Sequence, residues 1–155
     1  MKAIHWIIAA AALSSVQPSQ AAFGDPEVII YRFPGVKDDG LADFTGVATV
    51  FHCTNFSGVT ELIRYVTRNF DGTLKSNVTH SIGHLNSLGA STKSNFAYGT
   101  DVFLTTGLVS GGTTAIAATS TSIVCTATTV DAANSRPTGV SLRGIRFNPA
   151  PGTQE

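Results

Sequence analysis

The chain has 155 residues and balances ten Lys and Arg against ten Asp and Glu. A formally neutral chain lacks the clustered positive charge that phosphate recognition requires, so the composition argues against a nucleic-acid-binding protein. The length suits one domain large enough to bury a hydrophobic core.

Residues 1–21 predict a cleavable secretory signal peptide. Lys2 precedes a short apolar segment from Trp6 to Leu13, and the small residue Ala21 closes the polar stretch after it. The apolar segment is shorter than the roughly 18 to 20 residues that span a bilayer. We therefore expect a secreted or periplasmic protein that begins near Ala22 and has no membrane span after cleavage.

Residues 22–148 predict a single β domain, followed by an irregular tail over 149–155. Runs of β-branched and aromatic residues alternate with Gly, Pro, Asn and Asp, which are turn signals. In chain order, the predicted strands cover residues 27–33, 47–54, 59–70, 85–91, 101–106, 113–118, 123–130 and 140–147.

Two of these segments carry mixed signals. Residues 59–70 show both helical and strand spacing, and the hairpin dipeptide Asp71-Gly72 after them favours a strand. Residues 140–147 change parity midway, which predicts a β-bulge at Arg143-Gly144.

The two cysteines, Cys53 and Cys125, both fall in the middle of predicted strands. In an oxidising compartment, two cysteines in one small domain are expected to form a disulfide. A metal-bound thiolate pair and a redox couple are the alternatives, but the sequence contains no Cys-x-x-Cys.

About seven short strands with two mid-strand cysteines resemble an immunoglobulin-like antiparallel β-sandwich. That resemblance implies a disulfide that bridges the two sheets. The sequence departs from the family in two places, since no Trp follows Cys53 and Ile123 stands where the family has a corner Tyr. Segments 47–58, 68–74 and 139–152 are also similar to small secreted bacterial proteins that are uncharacterised. That resemblance implies a bacterial source and carries no function with it.

No sequence motif for a cofactor is present. The chain lacks a phosphate-binding Gly-rich loop and a dinucleotide fingerprint, and Gly107 to Gly111 has the wrong spacing for a serine hydrolase. We therefore predict no cofactor.

A metal site is the weaker alternative. His52, His80 and His84 could bind copper or zinc if they converge, although nothing around the last two predicts a helix. Asp38, Asp39 and the nearby Asp43 could offer oxygen ligands to calcium, but the spacing favours a solvated turn.

One surface is a candidate for interaction with a partner. If Ile63 and Tyr65 face inward, the side chains between them face outward, and the predicted bulge adds two arginines from a strand of the same sheet. The immunoglobulin-like resemblance places both strands beside the Cys125 strand. The candidate interaction face comprises Leu62, Arg64, Val66, Arg68, Arg143 and Arg146. Exposed aliphatic residues mixed with arginines are typical of protein interfaces, and a solvated sheet face covered by arginine stems is the alternative.

These patterns favour a non-enzymatic extracytoplasmic binding or structural module whose partner is an unknown protein or surface ligand. An exported copper- or zinc-binding protein is the second hypothesis, and a secreted hydrolase is the third.

Overall fold

The computed structural model describes residues 28–147, which form two packed β-sheets and contain no helix. The predicted all-β sandwich is therefore confirmed. The predicted signal peptide over residues 1–21 and the predicted tail over 149–155 lie outside the described residues.

The structure has ten strands where eight were predicted. The ten strands are β1 (Val28–Asp38), β2 (Val47–Asn55), β3 (Glu61–Arg68), β4 (Leu74–Ile82), β5 (Ser87–Ser91), β6 (Val102–Phe103), β7 (Val109–Ala118), β8 (Ile123–Asp131), β9 (Gly139–Leu142) and β10 (Ile145–Arg146). The ambiguous segment 59–70 contains β3, and the hairpin at Asp71-Gly72 connects it to β4, with Gly72 at a φ of 84°.

Five strands make up each sheet. The first sheet has the order β10-β1-β7-β3-β4, and the second has the order β6-β5-β2-β8-β9. Neighbouring strands are antiparallel except β5 and β6, which are parallel.

Aromatic side chains join the two sheets at the centre of the core. Phe33 of β1 and Tyr65 of β3 come from the first sheet, and Phe51 of β2 comes from the second. The ring centroid of Phe51 lies 5.7 Å from that of Phe33 and 6.0 Å from that of Tyr65. Such tilted and edge-on contacts add to the stabilisation that burial of the rings already provides.

The predicted disulfide between Cys53 and Cys125 is present, but it does not bridge the sheets. Cys53 of β2 is the direct cross-strand partner of Cys125 of β8, and both strands belong to the second sheet. The inter-sheet bridge implied by the immunoglobulin-like resemblance is therefore wrong. Its physical reason is topological, because β2 and β8 are adjacent antiparallel strands.

The predicted strand over residues 140–147 is two strands in different sheets. β9 pairs with β8 in the second sheet, and β10 pairs with β1 in the first. Arg143-Gly144 is thus a corner at which the chain crosses between sheets, and it is not a bulge within one strand. Gly144 is required there because a Cβ atom would lie 2.7 Å from Cζ of Phe33.

The outer faces of the two sheets differ in how they are covered. On the second sheet, Ala48, Val50 and Val130 form a small outer cluster beneath Ala97 and Tyr98 of the segment that follows β5. That segment shields part of the second sheet. A groove is open on the outer face of the first sheet.

Candidate functional site

The groove on the outer face of the first sheet has a volume of about 290 Å³. Its floor is the small side chains of β7, namely Thr113, Ala115 and Ala117. Arginines from the two flanking strands line it, so we call it the arginine groove. Its three arginines are Arg32, Arg64 and Arg68.

The strand register places these arginines around the floor. Arg64 and Arg68 of β3 lie opposite Ala117 and Thr113, while Arg32 of β1 lies opposite Ala115 from the other side. Directly opposed residues project to the same face of a sheet. Strand geometry separates the Cα atoms of Arg64 and Arg68 by about 13 Å. It sets the Cα atom of Arg32 about 10 Å from that of Val66, across β7, and so about 12 Å from each of the other two arginines.

The groove presents permanent positive charge. A guanidinium stays protonated in proteins and offers five N–H donors in a planar fork. Nη1 of Arg68 donates to the carbonyl of Gly72 at 2.9 Å, which uses one of those donors. The Arg32 guanidinium lies 5.7 Å from the centroid of the Phe147 ring. These contacts orient two of the arginines along the rim of the groove.

The candidate interaction face is only partly assembled as expected. Leu62, Arg64, Val66 and Arg68 alternate with the buried Ile63, Tyr65 and Thr67, so they project from the outer face of the first sheet. The strand that carries them lies in the sheet opposite Cys125, and not beside the Cys125 strand.

The other two predicted members lie elsewhere. Arg146 pairs with the buried Tyr31, so its side chain lies on the inner side of the sheet edge, where Nη2 donates to the Thr121 carbonyl at 3.0 Å. Arg143 is exposed at the corner between β9 and β10. Both positions follow from the change of sheet at Arg143-Gly144, which the predicted bulge did not anticipate.

Arg32 is the groove residue that sequence reasoning missed. Its alternation with the buried Tyr31 and Phe33 shows that it faces outward. Its relation to Arg64, however, depends on β7 lying between β1 and β3, since β7 comes more than 70 residues after Arg32. Alternation within one strand could therefore have identified an exposed arginine but not its place in this groove.

The three histidines do not converge. His52 lies on β2 in the second sheet and packs edge-on against Tyr98, with ring centroids 4.7 Å apart. His80 lies on β4 of the first sheet, and His84 accepts a hydrogen bond from the Gly58 N–H at 3.0 Å. Within residues 28–147, no group of three or more His, Cys, Asp or Glu side chains could hold a metal ion. Burial lowers the pKa of His52, against a smaller opposing effect of Asp101.

The acidic cluster near Gly40 surrounds a lysine. Lys93 and Asp38 are 6% and 1% exposed, and Nζ of Lys93 lies 3.5 Å from Asp38 and in direct contact with the Asp39 carboxylate. The cationic position that a calcium ion would take between these acids is thus taken by an ammonium. Asp43 instead accepts a hydrogen bond from the Ser94 N–H at 3.1 Å.

This ionic cluster favours the charged form of Asp39. Burial by itself would raise the pKa of Asp39, but hydrogen bonds from Lys93 and from the N–H groups of Val47 and Leu41 outweigh it and lower the pKa. A second cavity of about 380 Å³ opens over the cluster, lined by both Asp38 and Lys93.

Among residues 28–147 there is no helix long and apolar enough to cross a membrane. Comparison with protein-family models, with curated proteins and with solved structures gave no match to this chain.

Proposed function

We propose that the protein is an exported, non-enzymatic binding module that captures an acidic ligand in the arginine groove. The observation that carries this proposal is the placement of Arg32, Arg64 and Arg68 around a floor of small residues on the outer face of the first sheet.

Carboxylates are the groups that this groove suits. The planar guanidinium fork matches a carboxylate with two parallel hydrogen bonds, and such charge-assisted bonds are stronger than neutral ones. The short side chains of Ala115 and Ala117 leave room for an extended segment to lie between β1 and β3. The arginines are spaced for several carboxylates, so we favour an acidic polypeptide over a small monoacid.

Export is supported by two independent features. Residues 1–21 have the sequence layout of a signal peptide, and the Cys53–Cys125 disulfide is compatible with an oxidising compartment outside the cytoplasm. An immunoglobulin-like architecture is part of this proposal, with a cysteine bridge that has a different position in the sandwich.

The proposal is tested with immobilised poly-L-glutamate as the acidic probe and poly-L-lysine as its opposite. The variant Arg32→Glu/Arg68→Glu reverses charge at two exposed positions of the groove, and we expect it to weaken poly-L-glutamate binding at least tenfold. Binding by the wild-type chain should also fall as salt is raised, because exposed charges are screened.

Arg136→Glu/Arg143→Glu is the matched control, because it makes the same change of charge at two exposed arginines outside the groove. It should leave binding within about twofold of the wild type if the groove is the site. Equal losses in the control and the groove variant would assign binding to overall charge and reject the groove. No wild-type binding to poly-L-glutamate would reject an acidic polypeptide as the ligand.

A further inference from the structure

Lys93 is buried against two aspartates. Its Nζ contacts the Asp39 carboxylate directly and lies 3.5 Å from Oδ1 of Asp38. Asp38 is itself fixed by the Gly40 N–H at 2.9 Å and by the Thr106 hydroxyl at 3.3 Å. The Lys93 amine, the Asp39 carboxyl group and the Asp38 carboxyl group therefore meet in one cluster, of which Lys93 and Asp38 are buried and Asp39 is partly exposed.

Within residues 28–147, no disulfide joins the first sheet to the second, and this cluster lies between them. Asp39 directly follows β1 of the first sheet, and Lys93 follows β5 of the second. The Cys53–Cys125 disulfide connects two strands of the second sheet only. A covalent bond between Lys93 and Asp39 would add a side-chain cross-link between the sheets.

We propose that Lys93 and Asp39 join in an intramolecular amide bond, with Asp38 transferring the protons. The reacting pair is an ammonium and a carboxylate. A proton passes from Nζ to the carboxyl group, and the neutral amine attacks Cγ of Asp39. Asp38 takes the second proton from the nitrogen and delivers it to the departing oxygen. The new N–C bond replaces one C–O bond, one water leaves, and nothing is oxidised or reduced.

The hydrogen bonds that lower the pKa of Asp39 oppose its protonation, and three features of the site favour the reaction. Oδ2 of Asp39 accepts a hydrogen bond from the Val47 N–H at 2.7 Å, a donor that would stabilise negative charge on that oxygen as the amine adds. Holding amine and acid together can supply effective concentrations of about 10⁵ M or more, which offsets the unfavourable loss of water. The cavity of about 380 Å³ over Asp38 and Lys93 offers the released water a route out.

The deciding measurement is the mass of the folded full-length protein after reduction and alkylation of the cysteines. We expect the wild-type chain to be lighter by one water, about 18 Da, than the mass calculated for its sequence with both cysteines alkylated. A wild-type chain with its full mass would overturn the proposal and leave the pair as an ion pair only.

Peptide mapping shows which residues the loss of water has joined. Trypsin should release a branched peptide in which the segment beginning at Asp38 is joined through Lys93, and this peptide should persist after reduction. Ring closure at an Asp-Gly step, such as Asp39-Gly40 or Asp71-Gly72, removes the same mass without a branch. Loss of water without a branched peptide would therefore also reject the proposal.

Three variants separate the roles of the groups. Lys93→Arg keeps the positive charge but should retain its full mass, and Asp38→Asn should retain full mass or lose water at least tenfold more slowly. Asp43→Asn is the matched control, because Asp43 lines the same cavity but bonds to Ser94, and it should lose water like the wild type. Normal water loss in Asp38→Asn would remove Asp38 from the mechanism. The wild-type mass decides the bond itself even if a variant fails to fold.

Discussion

The Cα atoms of Cys53 and Cys125 lie 4.1 Å apart as direct partners on adjacent antiparallel strands. The two cysteines lie on β2 and β8, which already pair through backbone hydrogen bonds. The disulfide adds a covalent link between these strands. It closes a chain segment of 72 residues, which is a large loop to form in the unfolded state.

The first prediction concerns that loop. Cys53→Ala/Cys125→Ala should lower the free energy of unfolding by about 2 to 5 kcal/mol, because the chain-entropy model gives about 4 kcal/mol for a loop of this size. Urea unfolding of the variant and of the oxidised wild type measures the difference. Reduced wild type should resemble the variant. A difference below about 1 kcal/mol would mean that the unfolded chain is already constrained in another way.

For the two cysteines, the sequence predicted the disulfide but not the sheet in which it lies. Alternation placed Cys53 and Cys125 in mid-strand and predicted their disulfide, because both signals are local. Whether the partner strand lies in the same sheet depends on the strand order, which arises from packing between segments distant in sequence. The same limit applies to β3 and β7, because both segments were predicted as strands but their pairing in one sheet was not predicted.

The second prediction tests the corner between the sheets. Gly144→Ala should lower the free energy of unfolding by about 1 to 3 kcal/mol, because the added methyl group meets the ring of Phe33 in a packed core. Gly99→Ala is the matched control, since a Cβ atom at Gly99 has no described neighbour within 4 Å. Urea unfolding of both variants provides the comparison. Equal changes in the free energy of unfolding of the two variants would show that the residues around Gly144 accommodate the added methyl group without loss of stability.

The third prediction fills the arginine groove without changing its charge. Ala115→Gln should weaken binding of poly-L-glutamate at least tenfold, because a longer side chain would occupy the floor between Arg32 and Val66. Thr126→Gln makes a similar change at an exposed position on the second sheet and should leave binding unaltered. Titration of each variant with poly-L-glutamate measures its affinity for the probe. Full binding by Ala115→Gln would place the ligand outside the groove.

The fourth prediction follows from the packing of His52 against Tyr98. Burial lowers the pKa of His52 in the folded chain, so the unfolded chain binds more protons in the pH range just below the ordinary value of about 6.5. The His52 contribution to stability is therefore fully present above that value and is lost as the pH falls through the lowered pKa. Urea unfolding between pH 7.5 and about pH 5 should show this loss.

Two variants assign that loss to His52. His52→Gln cannot take up the proton, so the decline in its free energy of unfolding between neutral and mildly acid pH should be smaller than that of the wild type. His80→Gln is the matched control, because His80 is exposed on β4 and its Nδ1 lies 2.9 Å from the Ser81 carbonyl. It should keep the wild-type decline. If His52→Gln declines as steeply as the wild type, another group controls the acid sensitivity, and the contact between His52 and Tyr98 has no part in it.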